Sequence, residues 1–120
     1  MSAHARLLIE EHGPAAVVTF SDLRILDTPA IREIREEFRT LVEDLGVRQI
    51  VVDFDGVEAL SSSAVGVLVE LRERLRTRGG EVKLTGLSRD IAHLVALTRL
   101  DVLFDIHPNR QQALAAFGQT

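Results

Sequence analysis

Apolar residues follow two rhythms along this chain, short nearly continuous runs and longer stripes at helical spacing, and the two alternate. Arg6 to Glu10 and Ala15 to Phe20 read as a pair of short strands. Between them Glu11-His12-Gly13-Pro14 supplies a turn, glycine permitting positive φ and proline holding φ at about −65°. A brief extended piece, Leu23 to Leu26, leads into Asp27-Thr28-Pro29, where Thr28 fits an N-cap and Pro29 a first helical position. The stripe Ile31, Ile34, Phe38, Leu41, Val42 and Leu45 predicts a helix to about Leu45, stopped by Gly46.

Gln49 to Phe54 is β-branched and nearly all apolar, the signature of a strand covered on both faces. Asp55-Gly56 marks a turn. A second helix is expected from near Ser62 to Arg78, with Ala64, Leu68, Leu71 and Leu75 inward and Glu70/Arg74 as a pair along its solvated side. Gly79-Gly80 ends it. Glu81 to Thr85 follows as a strand and Gly86 breaks it. Ser88 caps a short helix with Ile91, Leu94, Val95 and Leu97 inward; Val102 to Ile106 reads as a last strand; Pro108-Asn109 opens a terminal helix carrying Ala113, Leu114 and Phe117. Two strands followed by alternating strands and helices imply an α/β domain with parallel or mixed pairing through right-handed crossovers. Its 120 residues fit one domain, residues 1–120.

Composition narrows the function classes. With no cysteine, the chain has neither a disulfide framework nor a thiolate metal site. The four histidines, His4, His12, His93 and His107, are scattered without HxH or HxxxH spacing, so no metal site is expected. A net charge of −4 lacks the footprint of a nucleic-acid binder. Met1 to Arg6 shows no secretory pattern and no apolar stretch is long enough to span a bilayer, so the expected location is cytoplasmic, with no membrane partner.

The candidate chemistry lies in Leu60-Ser61-Ser62-Ser63-Ala64-Val65-Gly66, which places three hydroxyls where a strand gives way to a helix. Serines there can be simple caps. They can also be phosphoacceptors, because a helix start offers unpaired N–H groups and partial positive charge to an attached phosphate. A hydrolase elbow would need Gly-x-Ser-x-Gly, and Ser62 has Leu60 and Ala64 at the glycine positions; no enzyme activity is expected. A phosphoaspartate receiver fits poorly, since the lone lysine, Lys83, lies within a strand and the first strand ends in Glu10-Glu11. Asp53 then reads as a structural carboxylate binding loop amides. Neither GxGxxG nor GxxxxGK[ST] occurs, and no cofactor is expected.

From Ile50 to Phe104 the sequence resembles a STAS domain of the bacterial anti-sigma-factor antagonist family. The matching segments are Ile50-Val51-Val52-Asp53-Phe54, Val57 to Leu68, Gly79-Gly80-Glu81-Val82-Lys83-Leu84, Leu87-Ser88 and Leu97-Thr98-Arg99-Leu100. Upstream, Leu26-Asp27-Thr28-Pro29-Ala30 resembles the family's Leu-Asp segment before its first helix. The resemblance implies a STAS-like mixed sheet of four to five strands covered by about four helices. It lays the family's phosphoacceptor on Ser62 and matches Asp27 to the aspartate near it. The family aspartate before the acceptor is replaced here by Ser61, and the following glycine by Ala64. Asp27, Asp53, Ser61 and Ser63 are expected to shape the acceptor's surroundings and the partner surface. The implied function is capture of an anti-sigma factor of serine-kinase type, switched by phosphorylation and regulating sigma-dependent transcription. The alternative is a non-phosphorylated scaffold or homo-oligomer subunit in a signalling assembly.

Overall fold

In the computed structural model, which describes residues 6–118, the chain forms a five-stranded sheet and a separate two-stranded ribbon, clad by five helices. Met1–Ala5, with His4 and most of the segment read for a leader, and the last two residues lie outside the described part. The strands are β1 (Leu7–His12), β2 (Ala15–Phe20), β3 (Arg24–Ile25), β4 (Gln49–Asp53), β5 (Ala59–Leu60), β6 (Glu81–Thr85) and β7 (Asp105–His107). The helices are α1 (Thr28–Arg39), α2 (Ser62–Arg76), α3 (Arg89–Leu97), α4 (Leu100–Leu103) and α5 (Arg110–Ala116). The main sheet runs β1-β2-β4-β6-β7, antiparallel between β1 and β2 and parallel elsewhere.

Strand alternation divides the molecule into two layers of unequal weight. Val18, Ile50, Val52, Val82 and Leu84 face the large core with α1, α2 and α3, whose Ile31, Ile34, Phe38, Leu68, Leu71, Leu75, Ile91 and Val95 are all buried. Phe20 and Phe54 stack within it, centroids 5.3 Å apart. The opposite face presents Val17, Val51, Asp53, Lys83 and Thr85, and is covered by α5 through Ala113, Leu114 and Phe117.

Four expectations change. First, α1 does not run regularly to Leu45: Thr40–Asp44 is a π-helical turn, closed by Leu45 N–H donating to the Thr40 carbonyl at 3.0 Å. The wider turn rotates Leu45 off the inward stripe and leaves it 66% exposed. Second, Leu97 is exposed at the end of α3. Third, Val102 and Leu103 belong to α4, started by Arg99 in the left-handed region (φ 61°), and the strand reaches only Asp105–His107. A short apolar run carries no period strong enough to separate helix from strand. Fourth, Glu70 and Arg74 do not pair with each other. Arg35 of α1 donates to Glu70 at 3.2 Å and Arg74 binds Glu43, so both tie α2 to the neighbouring helical segment.

Lys83, 3% exposed, is held on the second face by Asp105 (2.6 Å) and Glu81 (2.9 Å), with the Phe117 ring 4.7 Å from its ammonium. Burial is the largest single influence on Lys83 and pulls its pKa down, but the bonds to Asp105 and Glu81 outweigh it and the net shift is upward. The bond from Lys83, then that from His107, holds the Asp105 carboxyl below its ordinary range. A carboxyl lowered on folding stabilises fully above its unfolded pKa, and that contribution is lost as pH falls through the folded value. Asp105→Asn is therefore expected to be less stable than the parent near neutrality and to lose less further stability between about pH 5 and about pH 2; urea titrations across that range check it.

Candidate functional site

The serine run is positioned by the ribbon rather than by the main sheet. β3 and β5 pair in parallel, Arg24 with Ala59 and Ile25 with Leu60. The ladder is extended by Glu58 N–H to the Leu23 carbonyl (2.6 Å) and Ser61 N–H to the Ile25 carbonyl (3.0 Å). Because the two strands run the same way, the helices that follow them begin at the same end. α1 starts at Thr28 behind Asp27, and α2 starts at Ser62 behind Ser61. Asp27 and Ser61, the N-cap residues of α1 and α2, therefore stand at the same end of the ribbon.

Each serine has a different place. Ser61 is the N-cap: half-buried, in extended backbone, its hydroxyl accepts from Ala64 N–H at 3.1 Å, and its carbonyl accepts from Val65 N–H at 3.1 Å. Ser62 and Ser63 are the first two helical residues, and both are exposed. Of the orphan donors at the helix start, that of Ala64 is satisfied by Ser61, while those of Ser62 and Ser63 have no protein partner among the described residues. Neither α1 nor α2 carries an acidic residue in its first turn, so two positive dipole ends converge on this edge. Ala64, where the resemblance has glycine, is an ordinary buried helical residue and packs into the core.

Asp27 is exposed and is the N-cap of α1 in place of Thr28, yet its side chain makes no capping bond. Its carbonyl accepts from Ile31 N–H at 3.1 Å, while its carboxylate has no ion pair or hydrogen bond among the described residues and is exposed. Leu23 and Leu26, 57% and 45% exposed, add an apolar rim. The structure therefore brings together Asp27, Ser61, Ser62 and Ser63, with an apolar margin that the sequence pattern had not marked as part of a site.

Asp53 does not join them. Alternation along β4 turns it to the α5 face, where it is 5% exposed. Its Oδ1 accepts from Asp55 N–H (3.0 Å), and its Oδ2 takes two bonds from the Arg110 guanidinium (3.0 and 2.8 Å). The bond to Asp53 raises the Arg110 pKa further, keeping the fork charged. Gly86 (φ +71°) is obligatory beside this carboxylate, since a Cβ there would lie 2.3 Å from Oδ1. Asp53 is thus an internal anchor for α5 and the β4–β5 turn, turned away from the serine edge with its oxygens occupied. Arg110 was missed because the pair spans 57 positions.

No group of three His, Asp or Glu residues among those described is arranged to hold a metal ion. The apolar cavity beneath the ribbon, between Phe20, Ile31, Phe38, Phe54 and Leu68, measures about 10 Å³, room for a single water at most. What the edge offers is a surface hydroxyl that can accept a group, amides that can bind the added charge, and an apolar rim for a protein partner.

The comparisons with known proteins agree with this architecture. Residues 6–113 match the STAS domain, and the chain belongs to that family. It is 31% identical over 67 residues to the anti-sigma-F factor antagonist RsfA of Mycobacterium tuberculosis, a match covering 56% of this chain. The chain spans about half the length of the curated relatives it matches, 52% for RsfA. The crystal structure of an anti-sigma factor antagonist from Mycobacterium paratuberculosis is similar at a TM-score of 0.82 and 26% identity, over 94% of this chain and 93% of that one. The Bacillus cell fate determinant SpoIIAA in its phosphorylated form shares the fold, with a TM-score of 0.72 and 17% identity over 92% and 98% of the two chains.

Ser61→Ala is expected to destabilise the domain by about 1 kcal/mol through loss of the cap, whereas Ser61→Asp, which also caps, is expected to be close to neutral. Thermal or urea unfolding of the two variants checks this. Equal loss in both would show that the Ser61 hydroxyl acts otherwise than as a cap.

Proposed function

We propose that this chain is an anti-sigma factor antagonist that binds its anti-sigma factor through the α1/α2 edge and is released when Ser62 is phosphorylated. The observation that carries the reading is the exposed Ser62 hydroxyl, set at the start of α2 beside an unpaired Asp27 and a margin of exposed leucines. RsfA and the Mycobacterium paratuberculosis protein bear the antagonist name, and SpoIIAA, which shares the fold, has a phosphorylated form; these support the reading. In the unmodified state Leu23 and Leu26 supply apolar contact. The anti-sigma partner is of serine-kinase type. In the transfer, Ser62 Oγ bonds to the γ-phosphorus of ATP as the bond to ADP breaks, and the hydroxyl proton passes to a base on the kinase.

The product carries a charge of about −1.5 to −2 at pH 7. The Ser62 and Ser63 amides and two helix dipoles stabilise that charge locally, while Asp27 and the desolvated partner face oppose it. The switch thus acts at the interface and leaves the fold intact. Regulation of sigma-dependent transcription follows from the binding step, with no catalysis by this chain, in a cytoplasmic setting. Replacement of the family aspartate by Ser61 keeps the cap and removes one negative charge next to the acceptor. The same substitution favours the second reading, a STAS module that assembles without phosphorylation.

Incubation with the cognate anti-sigma kinase and ATP is expected to place one phosphate on Ser62, to be abolished in Ser62→Ala, and to weaken the complex by about tenfold or more. Phosphate that persists in Ser62→Ala would move the acceptor to Ser63 or Ser61. A stable complex with no incorporation would favour the scaffold reading.

A further inference from the structure

At the far end of α1 from Asp27, the free edge of β1 runs beside a groove of about 220 Å³ lined by Ile9, Glu36, Glu37, Thr40, Leu41 and Leu45. Three separate features meet here. β1 is an edge strand of the sheet. The π-helical turn of Thr40–Asp44 forms one wall, displacing Leu45 outward. Two large apolar side chains, Ile9 at 46% and Leu45 at 66%, are exposed on either side of the groove.

The hydrogen-bonding phase of the edge is fixed. Ser21 N–H donates to the Arg6 carbonyl at 3.0 Å, so in antiparallel alternation Leu8, Glu10 and His12 turn their amides toward β2, while Leu7, Ile9 and Glu11 turn theirs outward. Leu7 confirms the direction, because its outward N–H is satisfied by Glu37 Oε1 at 2.9 Å. Glu37 also takes the Arg6 N–H at 2.9 Å. A side chain therefore already does, at the first edge position, what an added strand would do at the next two. The amides of Ile9 and Glu11 have no protein partner among the described residues.

Charge selects the occupant. Both charged residues lining the groove are glutamates, and the strand exposes Glu11 on the same face as Ile9. Of the nearby cations, Arg6 is committed to Asp22 and Glu33, Arg39 bridges the groove's own Glu36 together with Glu43 and Asp44, and Arg110 holds Glu10. Glu11 and Glu37 have no cationic partner among the described residues. A second copy pairing edge to edge would bring its own Glu11 and Glu37 to the same place, and like charges across a strand pair are destabilising.

We infer that the β1 edge is a docking site for an extended segment of a partner protein in which apolar residues alternate with lysine or arginine. The segment adds a strand beyond β1, its carbonyls accepting from Ile9 and Glu11 N–H, its apolar side chains entering between Ile9 and Leu45, and its cations meeting Glu11 and Glu37. This surface is distinct from the Ser62 edge and does not rest on the phosphorylation reading.

The test uses the full chain and two synthetic peptides, one alternating valine with lysine and one alternating valine with glutamate, followed by amide-resolved NMR. The lysine peptide is expected to shift the amides of Leu7–His12 and of residues 40–45, to slow exchange at Ile9 and Glu11, and to bind at least about tenfold more tightly than the glutamate peptide. Glu11→Pro removes an outward N–H that β2 does not use, and Leu45→Ser removes an exposed side chain without touching the core. Each is expected to weaken binding about tenfold, and Leu45→Ser keeps the test valid should the proline variant misfold. The inference is overturned by absence of shifts up to about 1 mM peptide, by shifts centred elsewhere, by equal response to both peptides, or by exchange protection at Ile9 and Glu11 that rises with protein concentration alone, which would assign the edge to a second copy.

Discussion

The parallel pairing of β3 with β5 is the constraint on which the site depends. It is a small element, a two-stranded ribbon held by the Ile25–Ser61 and Leu23–Glu58 backbone bonds. Had these strands run antiparallel, the two helices would begin at opposite ends and their dipoles would not converge. Parallel pairing instead sets the starts of α1 and α2 at the same end, Asp27 capping one and Ser61 the other. Ile25, 1% exposed, pins the ribbon to the core, and the helices behind it are locked by the large apolar layer and by the Arg35–Glu70 and Arg74–Glu43 bridges. The interhelical bridges are exposed and each contributes little; apolar burial carries the alignment.

The two faces of the sheet do different work. The α1/α2/α3 face supplies the main core and, at its rim, the exposed hydroxyls. The α5 face is polar for its size: Asp53, Lys83 and Thr85 are all buried there. Asp53 and Lys83 are paired with Arg110, Asp105 and Glu81, whereas the Thr85 hydroxyl has no partner among the described residues. A helix of seven residues is too short to be stable alone, so the Arg110 fork onto Asp53 and the Phe117 contact with Lys83 fix where α5 lies. An ion pair with one buried partner, as here, places a segment more than it stabilises the whole.

Much of the site was legible because it is local. Ser61-Ser62-Ser63 ahead of an apolar stripe announces a helix start, and the structure needed only to decide which serine caps and which are free. Ser88 and Asn109 cap their helices through their own side chains for the same reason. What escaped the sequence was set by distance or by subtle local geometry. The β3–β5 ribbon is only two residues per strand and has no period to detect. The Asp53–Arg110 pair joins segments far apart in the chain, so a carboxylate at a strand end passed for part of the edge when its side chain points the other way. Leu45 kept the helical spacing but lost its burial to a π-turn, which inserts extra rotation without any marker residue. Val102-Leu103 split from Asp105-Ile106-His107 because Arg99 turned left-handed, a conformation usually signalled by glycine or asparagine.

Ser62 stands at the start of α2, at the end of the ribbon where Asp27 begins α1, and a single thiol reports on this directly. The chain has no cysteine, so Ser62→Cys introduces one titratable sulfur at that point. Ultraviolet titration is expected to place its pKa below the ordinary value of about 8.5, and lower still when Asp27→Asn is added. A thiol that titrates at or above about 8.5 and does not respond to Asp27→Asn would contradict both the convergence of the helix starts and the proximity of Asp27.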